Sequence, residues 1–384
     1  MPIAEQLDRL ARFEPVPYPV VSLYLNTQSN ERGRDQFQTF VRQEFKARSR
    51  TYPPGSPERQ SLDKDLERIA SFLENDLQPS ANGVAVFACS AGEMFETVQL
   101  TAPIERHWLS IGDTPHLYPL ARIDSKYPRY AAVVADTNSA RIMVFATGEL
   151  ESQRDVNGEK TRRSSQGGWS QARFQRHIEN YHLQHVKEVI DALERIVQLE
   201  GITQIVTAGD EVILPLLREQ MPRHLADKLV DHVKLDAKAP LEDVLSATVE
   251  AMGRQNERTD REKVDAAIGA YRAGGLGVVG PEETLEALVK GQVDELLLAA
   301  SVSALRNVSA RVTQTTANDS TLVEPAVETA AGGEAAQADP RVVRLADEFV
   351  TRAKQTGARI TFIEAPSLLR SYGGVAAVLR FRIR

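Results

Sequence analysis

The residues best suited to chemistry on a charged polymer fall in one short run. It reads Gln166-Gly167-Gly168-Trp169-Ser170-Gln171-Ala172-Arg173-Phe174-Gln175-Arg176, with Arg162 and Arg163 just ahead of it. Adjacent glycines lack the Cβ restraint, so the backbone there can approach another molecule closely. Arg162, Arg163, Arg173 and Arg176 are permanently charged and bind phosphate oxygens through charge-assisted hydrogen bonds. Trp169 offers a flat face for stacking on a base or sugar, a contact worth about 1 to 3 kcal/mol in nucleic-acid complexes. The pattern points to a loop inserted into nucleic acid, although a glycine pair also serves as an ordinary turn before a helix. A second cationic stretch, Lys46-Ala47-Arg48-Ser49-Arg50, reads either as a further nucleic-acid contact or as a solvated helix face.

Other chemistries find less support. Lys and Arg number 46 against 53 Asp and Glu, a net charge of −7, which argues against the broadly basic surface of a nonspecific DNA binder. Any nucleic-acid contact is therefore local. His177, His182 and His185 share one helical stretch, but no carboxylate or cysteine at ligand spacing joins them, so no metal is expected. A Gly-x-Ser-x-Gly nucleophile elbow is absent from the chain. Gly275-x-Gly277-x-x-Gly280 fits the dinucleotide fingerprint in letters only, because its glycines straddle a strand instead of linking one to a helix. No cofactor is expected. The single Cys89 agrees with a reducing cytoplasm. No apolar run approaches the roughly 18 residues that span a bilayer, and Met1-Pro2-Ile3-Ala4-Glu5-Gln6 lacks the pattern of a secretory signal.

The elements that position these residues follow from periodicity. At 384 residues the chain suggests two or three domains. In the first, Val20 to Leu25 is a strand, with Pro15, Pro17 and Pro19 forbidding a helix before it. Helical spacing runs over 36–46 and 57–77, and strands at 83–89 and 94–100 form a hairpin. In the second, 131–136 and 140–145 form another hairpin. The polar stretch 148–168 reads as a long exposed connection, and a helix covers 170–199. Strands at 201–209 and 230–235 then alternate with helices at 214–221 and 240–271, the mark of a largely parallel sheet covered by helices. The third begins at Gly275 and reads strand, helix 281–290, strand 293–300, helix 340–356, strand 358–363 and strand 376–381. Residues 312–339 are rich in Thr, Ala, Gly and Glu, hold no aromatic residue and read as a flexible insertion that buries little apolar surface.

This order resembles the archaeal and eukaryotic class-one peptide release factors and Pelota, above all their bacterial relatives. The resemblance is carried by Val21-Ser22-Leu23-Tyr24-Leu25 and Asn82 to Phe87 in the first domain. In the second it is the 130–145 hairpin, the Gly-Gly loop and Ser170-x-x-Arg173-Phe174-x-Arg176 leading the long helix. The terminal Gly373-Gly374-Val375-Ala376-Ala377-Val378-Leu379-Arg380-Phe381 carries it in the third. It implies an α/β protein of three domains, each a sheet covered by helices: 1–125, then 126–272 with an RNase H-like sheet and the Gly-Gly loop at 160–175, then 273–384 like the kink-turn-binding ribosomal-protein fold. It implies a cytoplasmic ribosome-binding factor with no membrane or DNA partner. Such a factor occupies the A site in hibernation or in rescue of stalled ribosomes, reaches ribosomal RNA near the peptidyl transferase centre, and meets a translational GTPase or the stalk base through its third domain.

The chain departs from the family at two places. Release factors place glutamine after the two glycines to position water, and this chain has Trp169, whose indole offers one donor and no acceptor. Stop-codon readers carry Asn-Ile-Lys-Ser where this chain has Lys46 to Arg50. The leading expectation is therefore occupancy through Gly167, Gly168, Trp169 and Ser170. Two alternatives stay open: a peptidyl-tRNA or tRNA hydrolase with Gln171 as the catalytic residue, and a scaffold without ribosome contact.

Overall fold

The computed structural model describes residues 3–28, 37–102, 104–146, 148–157, 171–305 and 339–382, with the backbone alone for 171–179. It is a mixed α/β protein with three sheets, and the chain forms two compact units, 127–259 and the combined flanks 1–126 and 260–384.

The amino-terminal flank runs α1 (Ile3–Ala11), β1 (Val20–Asn26), α2 (Phe37–Ser49), α3 (Pro57–Asn75), β2 (Gly83–Cys89), β3 (Met94–Leu100), β4 (Trp108–Gly112) and α4 (Tyr118–Lys126). Its strands form an antiparallel sheet in the order β3-β2-β1-β4. Val20 to Leu25 is uniformly apolar or buried because both faces of β1 are covered. Val21, Leu23 and Leu25 pack under α2 and α3, while Val20 and Tyr24 face a core shared with α1, α4 and the other flank. Ser56 caps α3 by accepting from the Arg59 amide, and Pro57 occupies the first turn, where its missing N–H costs nothing.

The central unit contains β5 (Tyr130–Ala135), β6 (Ser139–Ala146), β7 (Glu149–Asn157), α5 (Gln171–Glu200), β8 (Gln204–Gly209), α6 (Ile213–Gln220), α7 (Arg223–Ala226), β9 (Leu229–Lys234) and the part of α8 (Leu241–Arg272) up to Thr259. The strand order β7-β6-β5-β8-β9, with β5, β8 and β9 parallel and β6 antiparallel to both neighbours, is that of an RNase H-like sheet. It is thus mixed rather than largely parallel. Helices α5 and α6 cover one face and α8 the other.

The polar stretch expected to be a connection from 148 is corrected over its first half: Glu149–Asn157 is an edge strand paired to β6. Its outer edge faces solvent, so only Leu150 and Val156 are drawn partly into the two cores, and the alternation that marks a half-buried strand is nearly lost. Of the Gly-Gly loop expected at 160–175, residues 160–170 lie outside the described residues, whereas Gln171 onward belongs to α5 and not to a loop; of the insertion expected at 312–339, all but Asp339 lies outside them.

The carboxy-terminal flank contains the end of α8, β10 (Gly277–Val279), α9 (Pro281–Val289), β11 (Val293–Ala299), α10 (Pro340–Thr356), β12 (Arg359–Ile363) and β13 (Val375–Leu379), with strand order β10-β13-β11-β12. Asp339 caps α10 through the Arg341 amide, and Gly357 ends it in the left-handed conformation at φ 66°. Gly277 has a packing duty, since an added Cβ would lie 2.4 Å from the Ala267 carbonyl of α8.

The two flanks share one core, in which Leu7 and Leu10 of α1 join Leu345, Phe349 and Val350 of α10. Polar ties fix the match. Asp347 of α10 accepts from the Tyr118 amide at 3.0 Å and lies 2.6 Å from Nδ1 of the buried His116, whose ring sits 4.7 Å from that of Trp108. The Tyr118 hydroxyl donates to the Ala299 carbonyl at 2.6 Å. Buried polar groups need partners placed this closely, so the ties select one docking of α10 on the first sheet.

Candidate nucleic-acid interface

The long helix of the central unit starts inside the singular run. α5 is 30 residues long and opens on Gln171, with no acidic residue in its first turn. Its first-turn amides and aligned peptide dipoles place about half a positive charge at that end. The cationic positions 173 and 176 lie one turn apart on the same backbone stretch, at the helix end whose dipole favours anions. The helix is held further along, where Val186, Val189, Ile190, Leu193 and Val197 are buried against the sheet.

Among the expected site residues, Arg162, Arg163, Gly167, Gly168, Trp169 and Ser170 lie outside the described residues, and Gln171, Arg173 and Arg176 are placed by backbone only. His185 is buried, and among the described residues neither of its ring nitrogens has a hydrogen-bond partner. His182, one turn earlier, is half-buried beside Tyr181. Among the described residues no group of three or more His, Cys, Asp or Glu has the geometry of a metal site.

The second cationic stretch closes α2. Lys46 and Arg50 are exposed, Arg50 just past the helix end, whereas Arg48 is largely covered and pairs with Glu44 at 3.2 Å. The structure adds Arg42, one helical turn before Lys46 and exposed like it. An i, i+4 step rises about 6 Å, comparable to the spacing of successive phosphates on one strand. The outward set is therefore Arg42, Lys46 and Arg50, and the four-residue repeat was a signal present in the sequence. The opposite side of α2 is anchored by Phe37, Phe40 and Val41. Behind it the His107 ring lies 5.2 Å from that of Phe40 and its Nδ1 accepts from the Asn26 amide at 3.2 Å. Burial pushes the His107 pKa below the usual histidine value.

No helix among the described residues is long and apolar enough to cross a membrane. Three sheets, the middle one carrying a long helix that opens on a cationic stretch of sequence, define a class of multidomain α/β factor, and comparison with known proteins makes the class specific. The family model of bacterial archaeo-eukaryotic release factor family 10 matches residues 115–252, and that of eRF1 domain 3 matches residues 260–383. Peptide chain release factor subunit 1 of Methanobrevibacter smithii is 21% identical over 300 residues, 73% of this chain and 72% of that protein. Among solved structures, Archaeoglobus fulgidus Pelota is 14% identical with a TM-score of 0.33, covering 80% of this chain and 82% of that one. S. cerevisiae Dom34, a translation termination-like factor, is 11% identical with a TM-score of 0.41, covering 78% and 79%. The chain belongs to the archaeal/eukaryotic release factor and Pelota superfamily, in its bacterial branch, an assignment that rests on the two family models and the archaeal release factor.

Proposed function

We propose that this protein is a ribosome-associated translation factor that occupies the A site, in hibernation or in rescue of stalled ribosomes. In this reading Gly167, Gly168 and Trp169 reach toward the peptidyl transferase centre. Arg162, Arg163, Arg173 and Arg176 neutralise ribosomal RNA phosphates, and Arg42, Lys46 and Arg50 form a second contact from the first segment. The observation that carries the proposal is the start of α5: a 30-residue helix, seated on the sheet core, presents its positive pole and two arginine positions directly after the Gly-Gly-Trp run. Superfamily membership supplies the ribosome as the source of RNA, and it suggests a translational GTPase as partner of the third segment. Ribosome co-sedimentation across a salt series tests this. Binding should weaken steeply with salt and weaken further in an Arg173→Ala/Arg176→Ala double variant; salt-insensitive binding, or none, defeats the proposal.

A hydrolytic reading keeps one observation in its favour, the placement of Gln171 as the first residue of α5, where a helix pole stabilises developing negative charge. Incubation with ribosomes carrying labelled peptidyl-tRNA separates the two. Release of peptide or of tRNA fragments, lost in Gln171→Ala, establishes the enzyme; intact peptidyl-tRNA leaves occupancy.

A further inference from the structure

On the α5–α6 face of the central sheet, the last strand is left partly uncovered. Register sets Thr207 of β8 beside His232 of β9, and α6 packs on β8. Between α6 and β9 lies an open cleft of about 500 Å³, within the usual range for small-ligand sites. Its walls are apolar: Leu214 and Pro215 from α6, Met221 just beyond it, and Leu229 from β9. Its rim carries Arg218, Glu219 and His232, all exposed. Among the described residues neither Arg218 nor Glu219 has an ion-pair partner. Asp231, next to His232 on β9, pairs with Arg254 at 3.5 Å, lies 3.9 Å from the His232 ring nitrogen Nδ1 and accepts from the His232 amide at 2.8 Å.

An apolar slot with one open cation and one open carboxylate selects against simply charged ligands. A fatty acid meets Glu219, and an amine meets Arg218. A nucleotide answers both, because it joins apolar base faces, an edge rich in N–H donors and an anionic phosphate. Guanine alone presents two adjacent Watson–Crick donors, N1–H and the 2-amino group, which a carboxylate accepts together; adenine sets a lone pair beside its single amino donor. We propose that this cleft binds a guanosine nucleotide. Its base lies between Leu214, Pro215 and Leu229, its donor edge faces Glu219, and its phosphate meets Arg218 and the His232 ring. The same contacts serve a free nucleotide or an unstacked guanosine in single-stranded RNA. The RNA source rests on the ribosome reading above; the free nucleotide does not.

The test is calorimetric titration of the full-length protein with GMP, AMP, CMP and UMP, and with a uridine hexamer containing one guanosine against an all-uridine hexamer. GMP is expected to bind at least about tenfold more tightly than AMP. Glu219→Gln should bring GMP to the AMP level, and Arg218→Ala should weaken every nucleotide by about tenfold. Both side chains are exposed, so neither change endangers folding. A guanosine hexamer that binds more tightly than GMP identifies RNA as the source, and the reverse identifies the free nucleotide. Absence of saturable binding at millimolar GMP and equal hexamers overturn the proposal, as does a GMP preference that survives Glu219→Gln. Co-sedimentation of the same preparations keeps the two readings apart: ribosome binding without GMP binding removes only the cleft, and GMP binding without sedimentation removes only the ribosome.

Discussion

Two helices present cationic residues at opposite poles. On α2, Lys46, Arg48 and Arg50 gather at the carboxy-terminal end, where the peptide dipoles place a negative partial charge, and Glu44 ties Arg48 down. On α5 the arginines sit at the amino-terminal end, with no acid in the first turn. Basic residues at a carboxy-terminal pole stabilise their own helix, while the same residues at an amino-terminal pole add to a field directed outward. Similar residue types thus serve different ends, and in the proposed reading the stronger anion site belongs to α5.

The sharpest way to break this contrast lies in the run leading into α5. Trp169→Ala removes a stacking surface and should lower ribosome affinity by about 5- to 150-fold, measured by co-sedimentation at fixed salt; an unchanged affinity means that the tryptophan does not touch RNA. Next in size, Arg173→Ala/Arg176→Ala should reduce affinity by about tenfold or more. It should also flatten the plot of log affinity against log salt by about 0.7 for each phosphate that is no longer neutralised. Arg42→Ala/Lys46→Ala should flatten that plot similarly but cost only a few-fold in affinity. Equal losses from the two pairs would show that helix polarity contributes nothing. Glu44→Ala has the opposite sign: it removes a carboxylate and releases Arg48, so binding should tighten by about two- to threefold. Stability should fall by only about 0.3 to 0.5 kcal/mol, the usual worth of such a helix pair.

Where the chain is buried on both faces, the sequence is transparent. Val20 to Leu25 and Tyr130 to Ala135 read as strands because every position is apolar or small, and the helices at 57, 281 and 340 announce themselves by proline in the first turn. Legibility fails where burial is partial or distant. β7 hides because its polar side chains face water, and α1, α4 and β4 are short pieces whose apolar residues make sense only against α10 and the first sheet. Arg48 and Lys46 look alike in sequence, and only Glu44 one turn away divides them. The Asp347 to His116 contact joins positions 231 residues apart, and the guanosine cleft depends on a register between Thr207 and His232. Neither leaves a local trace.

The smallest expected effect concerns the footing of α2, which rests on a titratable group. Burial holds the His107 pKa below the ordinary value of 6.5, and its Nδ1 accepts the Asn26 amide, so the folded protein keeps that nitrogen free of a proton. In the unfolded chain the ring titrates normally. As pH falls through 6.5, the unfolded form therefore binds a proton that the folded form resists, and stability drops. The contribution is whole above that pH, is lost as pH falls toward the lower folded value, and changes no further below it. Urea unfolding between pH 7.5 and 5 should accordingly show a decline that is shallower in His107→Gln, whose amide oxygen can still accept the Asn26 N–H. Parallel declines in the two proteins would mean that His107 does not govern the acid side of the α2 anchor. In that case any loss of RNA binding at low pH arises elsewhere than at the Arg42, Lys46 and Arg50 face.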